Sequence, residues 1–225
     1  MSPLLVGAGG GEVISDRDER TTLIKVGREE LTLSWFRYEP GESGPDAHVH
    51  RKHSDAFFVI DGEVTFELGP DREVIAGGPG TVAIAPPNVV HTFRNEGPAT
   101  ARLLNIHAPG CGFDEHMRAM RDGREEAGPF DQFDPPPDGG RPLSDARVER
   151  GAASADGLDI AEATIEREDV AAVSATTSYW VLDGRLEVET AGGASVSAGP
   201  GDYVLVEPGE PHSLAGPARA VRVRA

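Results

Sequence analysis

Between Gly44 and Gly62 the chain reads GPDAHVHRKHSDAFFVIDG. His48 and His50 stand two apart, and Asp55 follows five residues later. On an extended strand a spacing of two puts both imidazoles on one face. If that face points into a barrel, both nitrogens converge on one point. Residues 51 to 54, Arg-Lys-His-Ser, suit a polar turn. A fresh strand beginning near Asp55 places Asp55, Phe57 and Val59 on a shared face, so the carboxylate can join the histidines from a neighbouring strand. His91 follows the turn Pro86-Pro87-Asn88 and opens another strand. Three neutral imidazoles and a carboxylate suit one divalent transition metal per chain: iron, manganese, nickel, cobalt, zinc or copper. Further positions on such an ion stay open for water, dioxygen or substrate. A single histidine more simply reads as a surface or hydrogen-bonded residue; His53 reads as a surface residue or one supporting the site, or else as a substitute ligand, and His107 and His116 read as structural. The joint spacing of His48, His50, Asp55 and His91 carries the argument.

The elements that position these residues repeat along the chain. Phe57 to Glu67 reads FFVIDGEVTFE, and Tyr179 to Glu189 reads YWVLDGRLEVE. Gly78 to His91 reads GPGTVAIAPPNVVH, and Gly199 to His212 reads GPGDYVLVEPGEPH. Two stretches recurring in the same order and at nearly the same separation indicate internal duplication. Asp-Gly between alternating apolar runs signals a hairpin. Strands are expected over 21–26, 31–38, 56–60, 63–68, 81–85, 91–95 and 101–107, with a short helix over 113–121 that Asp114 could start. Gly128 to Arg141 holds Pro135-Pro136-Pro137 and Gly139-Gly140 and reads as a linker. The expected domains are a first barrel over 1–110, a helix and linker over 111–156, and a second barrel over 157–225.

Aligning Asp183-Gly184 with Asp61-Gly62 sets Val170 and Ala172 opposite His48 and His50, and Thr177 opposite Asp55. Only His212 matches His91. One imidazole does not hold a metal at useful affinity, so the second barrel is expected to bind none.

These two stretches resemble the two sequence motifs of the cupin superfamily. Gly80, Pro86, His91 and Asn95 match the second motif, with Asn88 in place of its middle glycine. His48, His50 and Gly62 match the first, and Asp55 stands where the family has Glu. The resemblance spans both halves, so the chain is similar to bicupins. With His53 added, the run HVHRKHSD is closest to quercetin 2,3-dioxygenase-like cupins. The resemblance implies an all-β fold of two double-stranded β-helix (jelly-roll) barrels joined by a short helix and linker. It implies a metal on His48, His50, Asp55 and His91. Asp is shorter than Glu by one C–C bond, about 1.5 Å. The backbone then moves inward, or Asp55 acts through water, or three histidines carry the ion.

Two classes of function follow. In the first, the chain is a metal-dependent dioxygenase in which Asp55 takes the substrate hydroxyl proton, with Phe57, Phe66, Val82, Ile84 and Phe93 as pocket walls. In the second, it is an isomerase, a lyase or a non-catalytic binder of a small organic ligand. A net charge of −17 repels phosphate backbones and anionic lipid, which sets nucleic acid and membrane partners aside. The single cysteine, Cys111, excludes an intramolecular disulfide. No apolar run approaches a membrane span, and the first residues lack a signal-peptide pattern. The expected setting is cytoplasmic, the expected partner a small molecule, and the expected assembly a homodimer.

Overall fold

The computed structural model describes residues 1–124 and 130–225. Strand β1 (Leu4–Val6) comes first. Then follow β2 (Glu12–Asp16), β3 (Arg20–Gly27), β4 (Thr32–Tyr38), β5 (Ser54–Asp61), β6 (Val64–Leu68), β7 (Glu73–Gly77), β8 (Thr81–Ala85), β9 (His91–Arg94) and β10 (Ala101–Ala108). Helix α1 (Phe113–Asp122), a 3₁₀ turn at Leu143–Asp145, β11 (Arg147–Arg150) and β12 (Ala152–Ala155) come next. The chain finishes with β13 (Leu158–Val170), β14 (Thr177–Gly184), β15 (Leu186–Thr190), β16 (Ser195–Ala198), β17 (Tyr203–Val206) and β18 (His212–Arg224). The fold is nearly all-β, as expected. Among the described residues no helix is long and apolar enough to cross a membrane.

Two compact units form, one of Glu12–Asp156 and one of Met1–Gly11 with Gly157–Ala225. This differs from a division at residue 110. The first eleven residues join the C-terminal unit because β1 pairs antiparallel with β17. The helix and the following segment join the first unit because β11 pairs with β8. The expected linker begins outside the described residues. From Phe130 onward it packs on the first barrel: Val49 and Phe133 exchange backbone hydrogen bonds, and the Arg141 N–H donates to the Asn88 carbonyl.

The first barrel has one sheet in the order β11-β8-β5-β10-β4-β3-β2 and another in the order β7-β6-β9. The facing sides enclose Phe57, Phe66, Phe93, Leu103 and their neighbours. In the second unit β17, β14, β18 and β13 lie side by side, and β15 pairs with β16 and β18. Its own core includes Tyr179, Val181, Val188, Val204 and Ala220. The jelly roll closes most strand edges against one another.

The Asp-Gly steps are not hairpins. β5 pairs with β8 and β10, and β6 pairs with β7 and β9, so at Gly62 the chain leaves one sheet for the other. Gly184 marks the same corner between β14 and β15. Both glycines have positive φ, 75° and 77°. A Cβ on Gly62 would collide with the Thr100 carbonyl, and one on Gly184 with the Pro217 carbonyl. The duplication extends to a bulge. Leu103 faces Val59 and Arg102 faces Asp61, while Ala220 faces Val181 and Arg219 faces Asp183. Helix α1 starts after Gly112 rather than at Asp114, and Asp114 in its first turn instead accepts from Arg118.

Gly62→Ala and Gly184→Ala combine left-handed strain with a clash against backbone that cannot rotate away. Each should lower unfolding free energy by more than about 1 kcal/mol in a urea titration. The exposed, unhindered Gly9→Ala should change it by under about 0.5 kcal/mol.

Candidate metal centre

His48, Val49 and His50 do not form a regular strand. Isolated bridges hold them in extended form, His48 to His91 and Val49 to Phe133. His48 and His91 exchange two backbone hydrogen bonds, at 3.1 and 3.0 Å. The His50 carbonyl accepts from Asn88 N–H at 2.6 Å. The pairing carries His48 and His50 to the start of β9, where His91 stands. Asp55 enters from β5, between β8 and β10. One donor atom from each of His48, His50, Asp55 and His91 lies within 4.8 Å of the other three. None of the four residues is more than 4% exposed, so bulk water does not compete for them.

The hydrogen bonds around the rings decide what these atoms can accept. Each imidazole donates its Nδ1–H to a backbone carbonyl: His48 to Asp46 at 2.8 Å, His50 to Asp131 at 2.5 Å and His91 to Val89 at 2.9 Å. A neutral ring that donates from Nδ1 carries its lone pair on Nε2. The buried Nε2 atoms of His50 and His91 have no hydrogen-bond partner. Asp55 Oδ2 stands 3.3 Å from His91 Nε2 and 3.9 Å from His50 Nε2. Lone pairs thus meet a carboxylate with no donor among them, an arrangement that a cation satisfies. Bonds of about 2.0–2.2 Å to one ion separate neighbouring donors by about 3–3.5 Å, and the 3.3 Å spacing agrees. The cluster can hold a metal ion, and the shorter Asp side chain reaches the histidines without a bridging atom.

Electrostatics set the protonation states that a metal requires. Burial first, then the neighbouring His91 and His50, push His48 down to about 3. Burial works to raise the Asp55 carboxyl, but the neighbouring His107, the largest lowering influence, outweighs it and holds it well below the usual carboxylate range. Asn105 Nδ2 donates to Asp55 Oδ1 at 2.5 Å and fixes the carboxylate.

Sequence reasoning missed the support around this cluster. Asp131 follows the helix and lies 81 residues beyond His50. Its carbonyl takes the His50 proton, and its carboxylate accepts from the N–H groups of Arg51 and Lys52 and from His53 Nδ1. His53 is fully buried and supports the site, as one of its expected readings had it, and it shares a 2.9 Å hydrogen bond with His107. His107 stacks on Phe113 at 3.7 Å and reaches Asn105 Oδ1 at 3.1 Å. His116 stacks on Phe130 at 4.6 Å. No local spacing marks these partners, since β10, α1 and the segment after the helix reach the barrel only through tertiary packing.

A cavity of about 420 Å³ opens from the cluster. His48, His50 and Asp55 line it together with Phe36, Tyr38, Phe93 and, from the helix, Phe113, His116 and Met117. Of the five expected wall residues only Phe93 lines it. Phe57 and Phe66 fill the core. Val82 and Ile84 point to the opposite face of β8 from Ala83 and Ala85, which belong to that core. Phe36, Tyr38 and Phe93 lie nearly parallel, with interplanar angles of 5°, 10° and 14°. Arg20 sits 4.8 Å from the Tyr38 ring centre and pairs with Glu42 and the Ser43 carbonyl.

In the second unit His212 repeats one half of this arrangement. Its Nδ1 bonds the Glu210 carbonyl two residues back, as His91 bonds Val89, but its Nε2 accepts from the Tyr179 hydroxyl at 2.7 Å. Thr177 takes the place of Asp55.

The sequence of residues 34–107 matches the cupin domain family. The whole chain has the bicupin fold. No curated protein matches the sequence. Among solved structures, the protein Ylba from E. coli superposes with a TM-score of 0.71 at 10% identity, covering 99% of this chain and 90% of its own. The bacterial pirin YhhW from Escherichia coli, in complex with nickel(II), gives 0.67 at 12% identity, covering 99% and 98%. The Lactobacillus farciminis oxalate decarboxylase formate complex gives 0.68 at 11% identity, covering 100% and 86%. At such identities the likeness concerns the fold.

Metal analysis of purified protein should find about one ion per chain, lost in His48→Ala, His50→Ala and His91→Ala and retained in His212→Ala. Asp131→Ala, which frees the loop carrying His50, should weaken metal binding by about 10–100-fold. His48 and Asp55 both carry folded-state pKa values below their unfolded ones, so the unfolded chain binds more protons at acid pH. The metal-free protein should therefore be most stable above about pH 6.5 and lose melting temperature as pH falls toward 3. A melting temperature that rises on acidification contradicts this.

Proposed function

We propose that the chain is a metal-dependent enzyme of the first barrel, acting on a small flat organic substrate, with dioxygenase chemistry as its reaction. His48, His50, Asp55 and His91 hold the ion in this reading. The observation that carries it is the cluster of acceptors at one end of an aromatic-walled cavity. The ion supplies Lewis acidity and open positions for substrate and dioxygen. The pirin complex with nickel(II) supports a metal in a fold of this kind.

The chain's own residues do the remaining work. The parallel rings of Phe36, Tyr38 and Phe93 offer faces against which a flat substrate lies, and their apolar surface excludes water. Asp55, ionised and steered by Asn105, takes the proton of a substrate hydroxyl. Burial raises Tyr38 to about 12, so its hydroxyl stays protonated and can donate to a substrate oxygen. Arg20 lines the same cavity and attracts an anionic group there.

The homodimer expected from the sequence belongs to this reading, as does a cytoplasmic setting. A single species of 23.8 kDa across micromolar concentrations in sedimentation would remove the dimer. For the chemistry, oxygen uptake should accompany turnover of a flavonol, a diketone or a catechol when the protein is reconstituted with iron, copper, nickel, cobalt or manganese. Asp55→Asn should lower kcat by about 10²-fold or more. Turnover that persists without dioxygen and with zinc would instead identify an isomerase or lyase, and ligand binding without turnover would identify a binding protein.

A further inference from the structure

The second barrel keeps the architecture of the first but changes what its strands carry inward. The matched bulges fix the correspondence. Because Ala220 faces Val181 as Leu103 faces Val59, Arg222 occupies the place of Asn105 and Arg224 the place of His107. Arg222 pairs with Tyr179 as Asn105 pairs with Phe57, and Arg224 pairs with Thr177 as His107 pairs with Asp55. Positions that support a carboxylate in the first barrel therefore hold two guanidiniums in the second.

Both arginines lie on the inward face of β18. Ala218 and Ala220 belong to the core, and positions two and four further along share their face. The Arg222 guanidinium stands 5.6 Å from the centre of the buried Tyr179 ring, and its side chain is only 16% exposed. Ala220 stands where the first barrel has the bulkier Leu103. These groups are not fully satisfied. The Nε atoms of Arg222 and Arg224 and the Thr177 hydroxyl are buried without a hydrogen-bond partner. Glu168 pairs with Arg222, while Arg224 has no ion pair among the described residues. Unpaired buried donors of this kind are costly unless an acceptor joins them.

We propose that the second barrel binds a small monocarboxylate, held by Arg222 and Arg224 with Thr177 and Tyr179 beside it, at the place where the first barrel gathers its acceptors. The planar guanidinium fork matches a carboxylate. An open groove of about 550 Å³ leads from solvent to His212, which bonds Tyr179. Asp169 and Glu189 line that groove and oppose any anion, a polyanion most, so the attraction must come from the two arginines.

The test is calorimetric titration of the intact protein with acetate and benzoate, against chloride and phosphate at equal ionic strength. A carboxylate should bind, and Arg224→Gln and Arg222→Gln should each weaken it by at least about tenfold. Arg219→Gln, an exposed residue of the same strand paired with Glu162, should leave it unchanged. If an arginine variant fails to fold by circular dichroism, Thr177→Val supplies the same test with an expected loss of about threefold or more. His50→Ala separates the two barrels, because binding should survive when the first-barrel site is broken. No carboxylate heat above chloride, phosphate binding tighter than acetate, equal loss in Arg219→Gln, or loss in His50→Ala would each overturn the proposal.

Discussion

Four acceptors and no donor meet inside the first barrel, and the local structure around them is arranged to keep it so. Three backbone carbonyls take the Nδ1 protons of His48, His50 and His91, which fixes the tautomers and turns the Nε2 lone pairs toward Asp55. Two of those carbonyls lie two residues from the histidine they serve. The third, that of Asp131, arrives from beyond the helix, so the segment after α1 helps define the site chemically as well as cover it. The result is three rings with their Nδ1 atoms engaged and one carboxylate, buried and facing one another before any ligand arrives.

The two barrels show how one scaffold accommodates opposite electrostatics. Corner glycines, bulges and strand pairings recur at matched positions, because they answer to backbone geometry that both barrels share. The inward side chains answer to what occupies the interior. Asp55, Asn105 and His107 in one barrel become Thr177, Arg222 and Arg224 in the other. The His91 Nε2 atom, open in the first, is closed by the Tyr179 hydroxyl at His212 in the second. A single added oxygen, Tyr179 in the place of Phe57, removes the lone pair from use.

Much of this was legible in the sequence, for identifiable reasons. His48, His50, Asp55 and His91 could be grouped because a period of two and the turns before β5 and β9 are local signals. The duplication could be seen because Asp-Gly and Gly-Pro-Gly mark backbone corners that few other residues tolerate. What stayed hidden depends on pairing between distant segments. The Asp-Gly step read as a hairpin because a corner between sheets and a two-residue turn ask for the same dipeptide. Phe57 and Phe66 pass for pocket walls in the sequence because inward-facing is not the same as cavity-facing; the barrel is filled at their level and opens near Phe36, Tyr38 and Phe93. Asp131 and His107 carry no spacing that links them to His50 and Asp55.

The outer neighbour of β8 is β11, which the chain supplies only after the first cupin motifs and the helix, and the outer neighbour of β17 is β1, made some two hundred residues earlier. During synthesis the first barrel therefore lacks a strand until residue 150 has left the ribosome. Leu4 to Val6, meanwhile, must wait some two hundred residues for their partner. Until then β1 presents Leu4 and Leu5 as an apolar strand with unpaired backbone groups, the kind of segment that a chaperone would shield.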